Sequence, residues 1–294
     1  MLAFGMVEAN WAAEGSKVVI DPQGLTSLDH RITWNAERAA LVANRSEAMA
    51  IANTATSVES AARAIIKRYG FEVVVVKCGA LGAVLVDGNG ESRVGPFPVR
   101  NVYPIGSGDV FSSVFAYCWG ELGLTATEAA QRASLGTAVW VSRGPMQVLN
   151  ASGEVLNPEF LEERPFHDGP RVYLAAPFFS IAQRWLLDTI REGLDDLGAN
   201  VISPLHDVGF GPSHAVAQAD LEYLATVDGV VAILDGLDAG TLFEVGYAKA
   251  LGLPIVGFTS DVADDDLTRV VGTGIPVFRD LSTAAYQTIW TSSS

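Results

Sequence analysis

The chain has 294 residues, a formal net charge of −15, 49% hydrophobic residues and two cysteines, a length that suits one large domain or two of ordinary size. Its 29 glycines and 13 prolines are near average, so it is neither collagen-like nor low-complexity, and it is too apolar for a disordered acidic chain. No run approaches the ~18 apolar residues of a membrane span, residues 1–11 lack the basic start of a signal peptide, and two cysteines cannot build a disulfide framework or a zinc cluster.

The acidity disfavours nucleic acid and anionic membranes as partners, and the expected class is a cytoplasmic enzyme. In chain order, residues 17–21 (KVVID) carry a buried-strand pattern ended by Pro22, and 40–44 form a short strand. The spacing predicts a helix over 57–69 and a strand at 73–77 (VVVVK). A second strand, 82–87, runs into the turn Asp87-Gly88-Asn89-Gly90, and helices follow at 107–122 and 125–141. Between 150 and 170 the sequence mixes glycine, proline and charge without a period, which is linker chemistry.

Beyond it the alternation is cleaner. Strands are expected at 171–175, 200–203, 229–234 and 254–257, and helices at 181–197, 215–225, 241–251 and 283–291. Charge changes across the same seam. Residues 1–165 hold 17 acidic and 13 basic side chains, a net of −4, whereas 166–294 hold 17 and six, a net of −11. We therefore expect a module at 1–150, a linker at 151–169 and a module at 170–294. Strands alternating with helices imply parallel sheets covered on both faces, with ligands beyond the carboxyl ends of the strands.

In the first module Gly106-Ser107-Gly108-Asp109 precedes an apolar helix. Glycines there let the backbone approach an anion, and the free N–H groups point at it. Asp109 can act as a base for a hydroxyl, or only favour the helix start electrostatically. Taken with Asn44-Arg45-Ser46-Glu47 and residues 73–86 (VVVVKCGALGAVLV), the turn resembles that of the ribokinase-like (PfkB) sugar and nucleoside kinases.

The resemblance implies that Gly106 and Gly108 stabilise a transferring phosphate and that Asp109 is the base. It implies that Asn44 and Glu47 place magnesium and phosphate, and that Gly79 and Gly82 lie by the nucleotide. It covers about residues 15–145 and only the family's C-terminal half. Tyr103-Pro104 stands where the family has Asp-Thr, and Ser107 where it has Ala. The half that supplies the sugar pocket and lid has no counterpart. The expectation is a vestigial kinase site that keeps ATP and magnesium binding, or a scaffold and oligomer surface, rather than a kinase acting alone.

In the second module residues 229–244 read GVVAILDGLDAGTLFE. Asp235, Asp238 and Glu244 fall near the carboxyl end of one strand, where a ligand binds. A glutamate close to a helix start is favoured as the anion and can attack an electrophilic carbon, while neighbouring carboxylates orient hydroxyls or manage a proton. The alternative is that these acids cap and solvate a helix start. Gly240 would permit a tight turn and Gly246 close helix–sheet packing.

Tyr173-Leu174-Ala175 on a strand, Asp220-Leu221 in a helix, and Asp238 through Ala248 (DAGTLFEVGYA) together resemble the nucleoside 2-deoxyribosyltransferases and the related deoxynucleotide N-hydrolases, over about residues 170–280. The resemblance implies Glu244 as the nucleophile on C1′ of a deoxyribose and Asp220 as the acid that protonates or orients the base. It implies Asp238 as a sugar-hydroxyl ligand and Tyr173 as the residue that positions the nucleophile. Gly240, Thr241, Phe178 and His206 are further substrate-binding candidates. Phe178 or Phe179 could stack on a base or pack in the core. His206 sits in a Gly- and Pro-rich strand-end loop, where ordinary hydrogen bonding is the alternative. A Ser/His/Asp hydrolase lacks its elbow motif, metal binding by His206, Asp207 and His214 lacks a further ligand, and Cys78 and Cys118 read as buried thiols.

The expected fold class is α/β: a truncated ribokinase-like α/β half, then a flavodoxin-like doubly wound parallel sheet. The expected function is transfer of the sugar of a (deoxy)nucleoside between bases through a covalent glycosyl-Glu244 intermediate. Alternatives are an N-glycoside hydrolase using the same Glu, an ATP-dependent kinase using Asp109, and a nucleotide-binding sensor. Nucleosides or nucleobases are the expected partners, with a lean toward uncharged nucleosides because basic side chains are scarce. A homo-oligomer is expected by resemblance. The transferase needs no cofactor and no metal; ATP and magnesium remain open for the first module.

Overall fold

The computed structural model describes residues 1–294 apart from 5–9, 30, 145–146, 151, 158, 210–212 and 294. The chain forms two compact units, Met1–Phe166 and His167–Ser294.

Unit 1 is built on a six-stranded sheet ordered as in the sequence. Strands β1 (Leu2–Phe4), β2 (Trp11–Asp21), β3 (Ile32–Asn44) and β4 (Val73–Lys77) run parallel, and β5 (Ala83–Asp87) and β6 (Gly90–Val94) finish it as an antiparallel meander. Four helices accompany the sheet: α1 (Arg45–Ala52), α2 (Val58–Tyr69), α3 (Ser107–Phe115) and α4 (Ala126–Arg143). The four valines of β4 are buried, as a continuous apolar run in the middle of a sheet must be. Helix α2 starts at a Ser57 cap and ends on Gly70 at φ 77, burying Val58, Ala61, Ala62 and Ile65 on one stripe.

Three expectations change here. Strands β2 and β3 are longer than the two short runs read from the sequence; residues 32–38 (ITWNAER) alternate in exposure, the period-2 signal of a half-buried strand. Helix α1 was not expected, although its start signal is the Asn44/Glu47 capping box. The single helix expected over 107–122 passes from α into a π-helical segment at Ala116–Glu121, where Phe115 and Trp119 stack at 6.1 Å.

Of the residues expected as a linker, 151–169, those up to 166 group with unit 1. Glu163 accepts the Gly95 N–H at 2.7 Å and the Arg164 N–H donates to Pro96 O at 2.9 Å. The backbones run so close that a Cβ on Gly95 would lie 1.7 Å from Arg164 O. Satisfied backbone groups, more than composition, decide where a linker begins.

Unit 2 comprises β7 (Arg171–Ala175), α5 (Ile181–Asp196), β8 (Asn200–Ile202), α6 (Pro204–Asp207), α7 (Ser213–Leu224), β9 (Gly229–Ile233), α8 (Ala239–Ala250), β10 (Ile255–Phe258), α9 (Thr268–Gly272), β11 (Val277–Phe278) and α10 (Leu281–Ser292). Its five strands are all parallel, in the order β8-β7-β9-β10-β11. Counted within the unit this is 2-1-3-4-5, the flavodoxin-like order, which reverses direction between β7 and β9. A crevice opens at such a switch point, beyond the carboxyl ends of the two strands. Strand β9 is buried along its whole length, and helix α5 packs Leu187, Ile190 and Leu194 inward behind a Ser180 capping box. Among the described residues no helix is long and apolar enough to cross a membrane.

Candidate active site

The switch point of unit 2 collects one phenol and three carboxylates. Tyr173 is the third residue of β7 and is fully buried. Its ring packs in the core, and its hydroxyl donates to Glu244 Oε1 at 2.9 Å. Glu244 rides on α8, and the start of that helix is held by Asp238, whose Oδ2 accepts from the Thr241 N–H at 2.9 Å and the Thr241 hydroxyl at 3.2 Å. Thr241 is buried. Asp220 approaches from α7, and its buried Oδ1 has no hydrogen-bond partner.

Burial sets the protonation chemistry. It pushes the Glu244 carboxyl up to about 7; the Tyr173 hydrogen bond works the other way, and the negative charges of Asp220 and Asp238 add to the rise. Tyr173 is lifted far above its ordinary range, first by burial and then by Glu244 and Asp220, so it stays a hydrogen-bond donor. Burial also raises Asp220, making it a better proton carrier than a solvated aspartate. The site thus holds a hydrogen-bonded carboxylate raised toward neutral pH, with two further acids adding negative charge. Such a site favours developing positive charge in a ligand.

The other candidates are placed differently. Asp235 does not join this group. Its Oδ1 accepts from the Thr259 hydroxyl and the Ser260 N–H, both at 2.7 Å, and its Oδ2 from the Ser260 hydroxyl at 2.8 Å. The expectation that Asp235 faces a ligand is corrected on that ground. Gly240 does not make the tight turn: the left-handed residues are Gly236 at φ 76 and Leu237 at φ 48. Gly240 is exposed beside the cap, where a Cβ would lie 3.0 Å from Asp238 Oδ2. Gly246 does not serve close helix–sheet packing, since no atom from outside its own stretch of helix lies within 4 Å of where its Cβ would be.

His206 places its Nε2 3.2 Å from Asp188 of α5 and its Nδ1 3.2 Å from the Ser203 hydroxyl, while Asp207 accepts the Ser203 N–H. These bonds join α6 to α5 and none reaches the Tyr173–Glu244 pair. Phe178 and Phe179 stack at 5.2 Å just after β7, the first half-buried and the second exposed. Leu237, Thr259 and Ser260 were not singled out from sequence; a Thr-Ser pair directly after a buried strand was the available signal.

In unit 1, Asp21, Asn44 and Lys77 stand at the carboxyl ends of β2, β3 and β4. Asn44 and Glu47 cap each other at 2.8 Å, and the second Glu47 oxygen accepts the Gly24 N–H at 2.8 Å. Gly106 takes φ 79 ahead of α3, and Asp109 in the first turn of that helix accepts from the Gln23 side chain at 2.5 Å. Lys77 pairs with the fully buried Asp21 at 3.0 Å and stands beside Gly108. The chain's own donors reach both Glu47 oxygens and one Asp109 oxygen. Among the described residues no group of three or more His, Cys, Asp or Glu is arranged to hold a metal. Cys78 and Cys118 are buried free thiols, and burial pushes both up.

Both parts of the chain have known relatives. Residues 172–274 match the family model for nucleoside 2-deoxyribosyltransferase, and residues 4–148 match the model for the pfkB family of carbohydrate kinases. The solved 2-deoxyribosyltransferase of Bacillus psychrosaccharolyticus is 28% identical, over 38% of this chain and 87% of that one, with a TM-score of 0.33. The ribokinase of Thermotoga maritima is 27% identical, over 48% of this chain and 46% of that one, with a TM-score of 0.37. An uncharacterized protein of Schizosaccharomyces pombe is 31% identical over 110 residues, 32% of this chain and 52% of that protein. The chain spans about half the length of that curated relative. It joins a PfkB kinase-like domain to a nucleoside deoxyribosyltransferase-like domain.

Proposed function

We propose that unit 2 breaks the N-glycosidic bond of a 2′-deoxynucleoside and passes the sugar to a second base, with Glu244 as nucleophile. The observation that carries this reading is the half-buried Glu244 carboxyl, held by the Tyr173 hydroxyl at 2.9 Å, at the switch point of the sheet in a segment matching the deoxyribosyltransferase family.

In the first half-reaction the C1′–N bond breaks and its electron pair moves onto the base, which takes a proton from Asp220. A Glu244 oxygen forms a bond to C1′ as the oxocarbenium-like charge develops, giving a glycosyl ester. Asp238 binds a sugar hydroxyl. In the second half-reaction a nitrogen of the incoming base attacks C1′, Glu244 leaves as carboxylate, and the base returns a proton to Asp220. Two displacements on one carbon give net retention. Unit 1 serves this reading as a folded scaffold.

The test is a product assay on the full chain, with a 2′-deoxynucleoside and a different free base. A new deoxynucleoside supports transfer. Free deoxyribose with no new nucleoside replaces transfer by hydrolysis. Product formation that persists at the wild-type rate in Glu244→Ala rejects Glu244 as nucleophile.

A further inference from the structure

We infer that Asp235 is a positioning residue for the glycosidic site: it ties the loop after β9 to the loop after β10 and so fixes where Asp238 and Glu244 stand. The inference rests on reading Glu244 as the nucleophile.

Asp235 follows β9 directly, and only Gly236 and Leu237 separate it from Asp238. Those two residues take φ 76 and φ 48. The left-handed conformation suits the glycine but costs a leucine ~1 kcal/mol, so the bend must be held from outside. On the far side Asp238 holds it, through its bonds to the Thr241 N–H and hydroxyl. On the near side Asp235 holds it, with both carboxylate oxygens engaged by Thr259 and Ser260.

The anchor is itself rigid. Thr259 is fully buried, its hydroxyl oxygen accepts the Val262 N–H at 3.1 Å, and its own N–H donates to Phe278 O at 3.0 Å in β11. The clamp thus transmits the placement of two neighbouring strands to the first residue of a helix start. Glu244 lies six residues beyond Asp238 on the same helix, so movement at the cap is carried to the carboxylate. A displacement of ~1 Å at reacting atoms costs on the order of 100-fold in rate. Asp235 therefore acts through Asp238 and Glu244 without touching the substrate.

The test uses the full chain and the variants Asp235→Ala, Asp235→Asn and Thr259→Val/Ser260→Ala, with a 2′-deoxynucleoside and an acceptor base. Asparagine can still accept from Thr259 and the Ser260 N–H and can donate to the Ser260 hydroxyl. Asp235→Ala should lower kcat by ~10-fold or more with little change in KM. Asp235→Asn should restore most of the rate, and Thr259→Val/Ser260→Ala, which keeps only the Ser260 N–H bond, should reproduce part of the loss from the other side of the clamp.

The acid limb of kcat/KM should also move to lower pH in Asp235→Ala. Glu244 is faced by Tyr173 from β7, Asp220 from α7 and Asp238 from the start of α8, and loosening the clamp draws the Asp238 charge away and admits water. Asp235→Asn as inactive as Asp235→Ala, with Thr259→Val/Ser260→Ala at the wild-type rate, would overturn the inference in favour of a charge acting on substrate. Unchanged kinetics in Asp235→Ala would also overturn it. If the wild-type chain cleaves no nucleoside, the Glu244 reading fails and the clamp is still read directly. A carboxyl NMR titration, with Glu244 identified by its loss in Glu244→Gln, should show that group titrating at lower pH in Asp235→Ala; an unmoved titration rejects the clamp.

Discussion

Tyr173→Phe isolates one hydrogen bond at the centre of the proposed chemistry. The ring stays in its buried place, and only the hydroxyl that donates to Glu244 Oε1 at 2.9 Å is removed. A hydrogen bond to a charged group is worth ~1.5–3 kcal/mol, and one pKa unit is ~1.4 kcal/mol. The bond favours the anion of Glu244, which titrates at about 7 with the bond in place. Removing it should raise that value by ~1–2 units. Near neutral pH the ionised fraction would fall from about half to ~1–10%, so the rate of base release should drop ~5- to 50-fold. The loss should be recovered as pH rises, because the anion can still form. The assay is kcat/KM for base release across the pH range, where the acid limb reports the free enzyme. An acid limb that stays in place, or moves to lower pH, would refute the reasoning.

Three further outcomes are expected. Glu244→Gln should abolish transfer and yet stabilise the fold in alkali. The folded carboxyl titrates at about 7 against an ordinary 4.5, so the protonated form is favoured by folding; wild-type stability is fully present below the ordinary value and is lost as pH rises through 7. The loss is on the order of 3 kcal/mol, and urea unfolding at two pH values should show Gln ahead of Glu in alkali and level with it in acid. Millimolar magnesium–ATP should leave Tm unchanged, because donors of the chain itself occupy Glu47 and Asp109; a rise that disappears in Asp109→Asn would show a working nucleotide site. Leu194→Ala, which empties a fully buried position of α5, should cost ~2–5 kcal/mol in urea unfolding.

By itself the sequence determined the class of each half and the chemistry carried by local patterns. Alternating strands and helices specify parallel sheets wherever they fold, since the periodicity of apolar residues selects the element and the crossover selects the pairing. The run from Asp238 to Ala248 places an acid at a helix start and a glutamate beyond it through helix geometry alone. The Asn44/Glu47 spacing likewise produces its capping box without outside help.

Only the tertiary structure decided which acids share a site. Tyr173 and Glu244 are 71 residues apart and meet because β7 and β9 are neighbours at the point where the strand order reverses. Asp235 and Asp238, three residues apart, part company because the first finds donors on the loop after β10 and the second caps α8. In unit 1 the turn at Gln23 and Gly24 reaches Asp109 and Glu47, contacts that no local spacing records. Burial, the largest cause that lifts Glu244 toward neutrality, likewise belongs to the packed core and to no residue of the motif.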